Sequence, residues 1–430
     1  MDRRRFLKSS ALGLSGLFLG SRAKSIRAES TRPNIILIMA DDLGYECLSC
    51  YGSASYRTPA LDALAEEGAQ FEHCYSQPLC TPSRVKIMTG KYNFRNYTTF
   101  GALHPDERTF GHLFRDAGYD TCIVGKWQLA ARGGGKGSYP IEAGFDDYCL
   151  WQIDDRDSRF ADPLLKMKDT PLKRYEDEYG PEIFVDYANR FIEQHQDNPF
   201  FIYFPMALTH DPFVPTPDSP EWDEDPHQHD DRFFKDMVEY MDKLVGRMVY
   251  KLEQEGLREN TLILFTGDNG THWDIKSEMT DGRVIQGAKG EPTDAGTRVP
   301  LIANWPGKIQ SGAVLNDLVE FCDFLPTMAD AAGISPDKYE TDGVSFLPQM
   351  VGEKANPRDW VLIDYPGKGD RWESSIFVRE HRWKLYSDGQ LFDIENDVLE
   401  KQPIQKGKSD EADLARSRLQ AVLDYYDPSF

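Results

Sequence analysis

Cys80 opens the chemistry of this chain, in the stretch Pro78-Leu79-Cys80-Thr81-Pro82-Ser83-Arg84, which runs on through Val85-Lys86-Ile87-Met88-Thr89 to Gly90. It is one of seven cysteines, and an odd count in an exported chain invites a special role for one of them. Two acidic strand ends stand out. Asp41-Asp42 follows the apolar run Asn34–Ala40, and Asp268-Asn269 follows Leu262–Phe265. Two such ends converging on one sheet edge make the arrangement that a hard cation needs. His210, in Thr209-His210-Asp211-Pro212, is the best general-acid candidate, because an imidazole titrates near neutral pH. Taken singly, these features are weak: an Asp-Asp after a strand is usually a solvated turn, a lone His a satisfied polar residue, a lone Lys126 a salt-bridge partner. Cys47 and Cys50 read as small buried residues, since neither a second C-x-x-C pair nor a redox setting accompanies them.

The elements that must position these residues alternate. Asn34–Ala40 (NIILIMA) is continuously apolar, as a strand buried on both faces of a parallel sheet should be. Thr121–Val124, Phe200–Phe204, Leu262–Phe265 and Leu301–Ala303 are similar short runs. Between them, Pro59–Gly68 has a proline at its start and a glycine at its end, and Phe233–Gly256 spaces apolar residues by three and four; both predict helices. The pattern predicts an α/β fold, a large mixed and mostly parallel sheet sandwiched by helices. From about residue 351 the pattern changes. Val361–Asp364, Ser375–Val378, Trp383–Tyr386 and Leu391–Asp393 predict short strands with tight turns, closed by a polar helix over Ser409–Tyr425, together a small C-terminal antiparallel α+β subdomain. The expected organisation is an export segment over 1–28, a catalytic domain over 29–350 and that subdomain over 351–430.

The 430 residues carry 49 basic and 71 acidic side chains, a net charge of −22, which argues against nucleic acid as a partner. An anionic substrate would need positive charge concentrated in a pocket rather than spread over the surface. At the start, Arg3-Arg4-Arg5-Phe6-Leu7-Lys8, a weakly apolar stretch from Ala11 to Gly20 and Ser21-Arg22-Ala23 read as a twin-arginine-type export signal, with Asp2 where Ser or Thr is usual. That places the mature protein in the periplasm or outside the cell. Beyond it no apolar run is long enough for a transmembrane helix.

The Cys80 stretch carries the C-x-P-x-R signal of the formylglycine-dependent sulfatases, in the alkaline phosphatase superfamily, and the chain resembles that family through the trailing Thr89-Gly90. Gly118-Tyr119-Asp120-Thr121-Cys122-Ile123-Val124-Gly125-Lys126-Trp127 resembles its second signature. Thr209-His210-Asp211-Pro212 and Thr266-Gly267-Asp268-Asn269-Gly270 resemble its histidine and metal motifs. Lys289-Gly290 with Gly296-Thr297-Arg298-Val299-Pro300 resembles its late lysine motif, with Asp294-Ala295 where Glu-Gly is usual. Trp383-Lys384-Leu385 and Leu391-Phe392-Asp393 look like markers of its C-terminal subdomain. The resemblance runs from about residue 32 onward, in the family's order.

What the resemblance implies is a sulfatase. Cys80 would be oxidised to formylglycine by a formylglycine-generating enzyme. An aldehyde hydrate offers two hydroxyls on one carbon: one attacks sulfur and expels the alcohol, and the other collapses to the aldehyde and ejects sulfate. Asp41, Asp42, Asp268 and Asn269, with the modified Cys80, would bind Ca²⁺, or Mg²⁺ as the other hard cation such oxygens suit. Arg84, Lys126 and Lys289 would supply the local positive charge, and His210, with Lys289, the proton for the leaving oxygen. The family usually has His two residues after Lys126; here Gln128 stands there, and an amide hydrogen-bonds sulfate but carries no proton. His272 is a candidate to replace it. Trp273, in the loop after the metal motif, could stack on a sugar face, whereas Trp127 and Trp151 read as packing residues. A sulfated carbohydrate is the expected substrate. Two alternatives stay open: a phosphate or phosphonate ester hydrolase of the same superfamily, and a pseudoenzyme that binds sulfated glycans without turnover, which Gln128 alone favours.

Overall fold

Apolar runs without alternation form the middle of a ten-stranded sheet in the computed structural model, which describes residues 32–131, 136–354, 356–368 and 372–426. The expected export segment, residues 1–28, lies outside the described residues. In chain order the strands are β1 (Asn34–Ala40), β2 (Ala69–Tyr75), β3 (Asp120–Lys126), β4 (Asp147–Trp151), β5 (Leu164–Met167), β6 (Lys173–Arg174), β7 (Phe200–Pro205), β8 (Thr261–Gly267), β9 (Lys276–Glu278), β10 (Val284–Gln286), β11 (Arg298–Asn304), β12 (Ala313–Glu320), β13 (Val361–Tyr365), β14 (Ser375–Arg379), β15 (Trp383–Tyr386) and β16 (Leu391–Asp393). The large sheet runs β12-β2-β11-β8-β1-β7-β3-β4-β5-β6. Its middle, from β8 to β4, is parallel, and antiparallel pairings enter at β11 and at β5.

β1 shows why continuous apolarity was needed. Every residue of it is buried. Ile36, Ile38 and Ala40 point into a core shared with the helices Pro59–Glu66, Gly180–Gln194 and Phe233–Gln254. Ile35, Leu37 and Met39 point into a second core on the opposite face, shared with the helices Cys80–Thr89, Phe110–Asp116 and Phe324–Ala331. Each of the Ile, Leu and Met side chains among these adds roughly 1.5–3 kcal/mol by burial. The helices Pro59–Glu66 and Phe233–Gln254 match their predicted extents to within two residues. Strands β2, β4 and β12 and the helix Gly180–Gln194 lay outside the expected set. β2 carries Gln70, Glu72 and His73 among its apolar residues, and β12 alternates half-buried and exposed positions at the sheet edge, so neither shows an unbroken run.

The C-terminal part is a four-stranded antiparallel sheet, β13-β14-β15-β16. The helix Asp410–Tyr426 covers it with Ala412, Ala415, Leu419 and Leu423, against Leu362, Val378, Trp383, Leu385 and Leu391. Among the described residues no helix is long and apolar enough to cross a membrane.

This sheet is tied to the helix that begins at Cys80. Lys86 Nζ, fully buried, donates to Glu320 Oε2 and to the Leu362 carbonyl, both at 2.8 Å. Beside it, buried Asp364 accepts from the Phe94 amide at 2.5 Å and from Gln77 Nε2 at 3.0 Å. Burial, opposed by Lys86, pushes the Asp364 carboxyl up to about 7. The folded protein therefore holds a proton there that the unfolded chain releases near pH 4. This group's contribution is greatest at low pH and is lost as pH rises towards 7, at up to about 1.4 kcal/mol per pH unit. The urea midpoint of Asp364→Asn is expected to fall less between pH 5 and 7 than that of the parent. Parallel pH profiles for the two proteins would rule this out.

Candidate active site

The parallel strands deliver their last residues to one edge. Ala40 of β1 pairs with Gly267 of β8, so Asp41 and Asp268 leave the sheet side by side. The backbone amide of Asp268 donates to the Ala40 carbonyl at 2.9 Å, and that of Asp42 donates to Asp268 Oδ1 at 3.0 Å. Asp42 has φ 61°, a left-handed conformation that aspartate tolerates. Lys126 ends β3, and His210 follows β7. At Gly125, φ is 114° and a Cβ would meet the Pro205 carbonyl oxygen at 2.0 Å, so only glycine lets β3 bring Lys126 this close.

Cys80 is the first residue of a ten-residue helix, every position of which is buried. The loop before it is braced: Ser83 Oγ donates to the Gln77 carbonyl at 3.0 Å and accepts from the Gln77 amide at 3.1 Å. Arg84, one turn on, donates through Nη2 to Asp268 Oδ2 at 2.9 Å, with Asp41 Oδ1 at 3.6 Å, and through Nη1 to the Lys126 carbonyl at 3.2 Å. Lys126 Nζ reaches both oxygens of Asp41, at 2.9 and 2.7 Å. Lys289 Nζ is 2.6 Å from Asp42 Oδ2, and the Gly290 amide, donating to the Pro78 carbonyl at 2.9 Å, locks that loop onto the loop before Cys80. Asp294-Ala295 keeps this framework: Asp294 pairs with Arg379 at 2.5 Å, and the Ala295 carbonyl packs where a Cβ on Gly270 would come to 1.9 Å.

Three carboxylates and three cations are thus buried together. Burial raises the Asp41 carboxyl, but Lys126, His210, Arg84 and Lys289 outweigh it and hold it well below the usual range. Burial also raises Asp42, and His210 and Lys289 bring it below its ordinary value. Asp268 goes the other way, pushed up to about 7 by burial and by the charge of Asp41. Burial lowers Lys289, but Asp42, the thiol side chain of Cys80 and Asp41 raise it overall.

Two buried polar atoms here have no hydrogen-bond partner: Asn269 Oδ1, an acceptor, and Arg84 Nε, a donor. A buried orphan costs about 1–3 kcal/mol, so each marks a place for something else. With Asn269 Nδ2 donating to Asp42 Oδ1 at 2.8 Å, the amide oxygen is left to face a cation. Asp41, Asp42 and Asp268 add carboxylate oxygens, a set that suits Ca²⁺ or Mg²⁺. Asp41, Asp42 and His210 also bring ligand atoms within 4.8 Å of one another. The oxygen set could hold a hard cation without His210, whose Nε2 faces Lys289 Nζ at 3.0 Å. The other ring nitrogen, Nδ1, lies 2.8 Å from Asp211 Oδ1. Burial lowers the His210 imidazole, with Asp42 opposing.

Arg159 was missed in the sequence. It is buried, stacks 4.6 Å from the Trp151 ring, and its Nη2 lies 2.9 Å from His210 Nδ1 and donates to the His210 carbonyl at 3.3 Å and to the Asp211 carbonyl. It holds the loop that carries His210. Nothing in Arg156-Asp157-Ser158-Arg159 announces that role.

Gln128 has φ 60°, and its Oε1 is buried without a partner. It lines a cleft of about 290 Å³ with Phe100, Gly101, Ala130, Gln152, Arg156 and Lys368. His272 is not among these lining residues. Its ring lies 3.8 Å from that of Trp273 and 5.5 Å from Phe213, with Nδ1 3.4 Å from Asp274. Trp273 is half-buried, its ring 6.1 Å from that of Trp372. Trp127 and Trp151 are packed inside, their indole N–H groups donating to the carbonyls of Ser138 and Asp157 at 2.8 Å. All seven cysteines are free. A larger cavity, about 590 Å³, lies between Gly290–Thr293 and the C-terminal sheet, but none of the six buried charges lines it. None of the six lines the smaller cleft either, which adjoins the Cys80 segment through the hydrogen bond from the Gly101 amide to Thr81 Oγ1.

Residues 33–334 match the family model described as Sulfatase, and residues 293–424 the one described as N-sulphoglucosamine sulphohydrolase, C-terminal. The chain is 31% identical to N-acetylgalactosamine-6-sulfatase of Canis lupus familiaris, over 76% of this chain and 67% of that protein. It is 30% identical to arylsulfatase A of Homo sapiens, over 82% and 74%. Among solved structures, Ps i-CgsB in complex with k-i-k-neocarrahexaose superposes with a TM-score of 0.76 at 25% identity, covering 92% of each chain. The phosphonate monoester hydrolase of Agrobacterium radiobacter shares the fold, with a TM-score of 0.68 at 22% identity, over 92% and 95%.

Proposed function

The chain belongs to the sulfatase family, and from that footing we propose that it hydrolyses a sulfate ester of a carbohydrate, with Cys80 matured to formylglycine and Ca²⁺ held by Asp41, Asp42, Asp268 and Asn269. The observation that carries the reading is the packing of three buried cations and three buried carboxylates around the helix that starts at Cys80. The substrate class is supported by the N-acetylgalactosamine-6-sulfatase likeness and by the oligosaccharide complex of the structural neighbour.

Residue 80, as formylglycine, supplies a hydrated aldehyde as nucleophile, and the cation supplies charge that steadies a sulfate oxygen and that nucleophile. The remaining work falls to the chain's own groups. Arg84, Lys126 and Lys289 offset the negative charge of the sulfate in a site from which water is excluded, where such charges act strongly. Arg84 Nε, left without a partner, is a donor free to meet a sulfate oxygen. Lys289 and His210, 3.0 Å apart, form the donor pair for the leaving sugar oxygen. Asp42 holds Lys289 in place, and Arg159 and Asp211 hold His210. Gln128 gives and takes hydrogen bonds at the mouth but carries no proton, so it binds rather than acts as a base. Trp273 would offer a face to the sugar, with His272 behind it.

The reading includes maturation by a formylglycine-generating enzyme and export through the leader at residues 1–28. It is tested by following sulfate release from sulfated mono- and oligosaccharides, beside phosphate and phosphonate monoesters, with protein co-expressed with a formylglycine-generating enzyme. Sulfate release exceeding phosphate or phosphonate turnover by at least about 100-fold is expected, as differential stabilisation worth roughly 3 kcal/mol gives. Preferred turnover of phosphonates would transfer the site to the phosphonate hydrolase reading. Tight binding of sulfated sugar with no turnover, by protein whose position 80 is converted, would make it the binding protein that Gln128 alone favours.

A further inference from the structure

The cleft beside Gln128 holds two cations that the mechanism does not use. Lys368 and Arg156 line it together with Gln128, Gln152 and Phe100. Both side chains are exposed in a chain of net charge −22, and among the described residues neither forms an ion pair with a carboxylate. Asp155 accepts from the backbone amide of Arg156, and Asp157 pairs instead with Arg174. An acidic surface that leaves two cations uncompensated in one cleft keeps them for an anion from outside.

Lys368 is held in place. Its backbone amide donates to the Trp372 carbonyl at 2.9 Å after a left-handed turn at Gly367 (φ 72°). Its ammonium lies 3.5 Å from the centre of the Phe100 ring, a cation–π contact that fixes the long side chain. The cleft borders the segment that carries Cys80. Gly101, beside Phe100, donates its amide to Thr81 Oγ1 at 3.1 Å, next to Cys80. Burial lowers the ammonium of Lys368, the Cys80 side chain opposes, and Lys289, Lys126 and Arg156 lower it further, as charges within electrical reach do. The catalytic cations and this pair therefore form one positive strip. Along it, Gln128 Oε1 and the Gln152 amide offer hydrogen bonds of the kind sugar hydroxyls take.

We propose that Lys368 and Arg156 form a specificity site for a second anionic group on the carbohydrate, a carboxylate or a further sulfate, so that the preferred substrate is doubly charged. This rests on the sulfatase reading and names its substrate more closely. An aryl sulfate or a neutral sugar bearing one sulfate would fill the reaction site and leave this strip empty.

The test compares kcat/KM on three substrates: a neutral sugar with one sulfate, a sulfated uronic acid, and a sugar disulfate. The parent, Lys368→Ala, Arg156→Ala and the double variant are each measured. The ratio of the doubly anionic to the singly anionic substrate is expected to fall about tenfold per cation removed, through KM rather than kcat, as loss of a partly exposed charge-assisted contact gives. Which doubly anionic sugar loses more tells carboxylate from sulfate. A ratio unchanged by both substitutions, or a parent that prefers the neutral sugar, would overturn the proposal. Calorimetric binding of the same sugars to Cys80→Ala protein, with and without the double substitution, makes the same comparison without turnover. If the parent releases no sulfate but the doubly anionic sugar binds through Lys368 and Arg156, the sulfatase reading falls and the specificity site stands.

Discussion

Cys80→Ala protein releases sulfate on the order of 10⁵-fold more slowly than the parent, because an active site stripped of its nucleophile keeps only its binding and electrostatic power. Cys80→Ser falls as far in steady state. A serine has one hydroxyl on its Cβ, so a sulfate it accepted could not be ejected by collapse to an aldehyde. Both proteins stay folded: the side chain is small and lies at the first position of a helix whose other nine residues remain buried. The check is sulfate release alongside thermal unfolding. Melting temperatures within a few degrees of the parent, with release abolished, are expected. Steady turnover by Cys80→Ser would show that the reaction does not need an aldehyde.

Removal of divalent cations has the second large effect. Asp41, Asp42 and Asp268 are three fully buried carboxylates, and Asn269 Oδ1 has no hydrogen-bond partner. Arg84, Lys126 and Lys289 offset part of that charge, yet Asp268 is still pushed up to about 7 by burial and Asp41. A hard cation at 100 to 1,000 times its Kd would add about 3–4 kcal/mol to folding. Exhaustive chelation is expected to lower the melting temperature by several degrees and to cut turnover at least about 10³-fold, since charge neutralisation at the sulfate is lost. Added Ca²⁺ or Mg²⁺ restores both. Chelation that leaves both melting and turnover unchanged would mean that the three carboxylates are satisfied by their lysines and arginine alone.

How much of this was legible depends on the kind of signal. β1 and β8 could be read because burial on both faces forbids polar residues, and their ends placed Asp41-Asp42 and Asp268-Asn269 on one edge. β2 and β12 could not, because a strand towards the sheet edge tolerates Gln70, Glu72 or Asp317. The helix after Cys80 shows no apolar stripe, because all ten residues are buried, including Arg84 and Lys86, whose charges are met by Asp268 and Glu320. Its motif was legible, but the helix itself was not. Lys126, His210 and Lys289 were found through their motifs. Arg159 and Lys368 act as single cations on irregular segments, and only the folded chain brings Arg159 to His210 or Lys368 to Gln128. His272 packs its ring against Phe213 and Trp273 and does not line the Gln128 cleft, while Asp42, Asp211 and Lys289 lie within electrical reach of its imidazole.

The most direct test of the central claim uses a series of preparations made with increasing amounts of a formylglycine-generating enzyme. For each, the fraction of position 80 carrying the aldehyde is measured by mass spectrometry, beside the rate of sulfate release from one sulfated sugar. Rates proportional to the converted fraction, on a line through the origin, are expected. Full activity from preparations in which Cys80 is wholly unconverted would contradict the formylglycine mechanism.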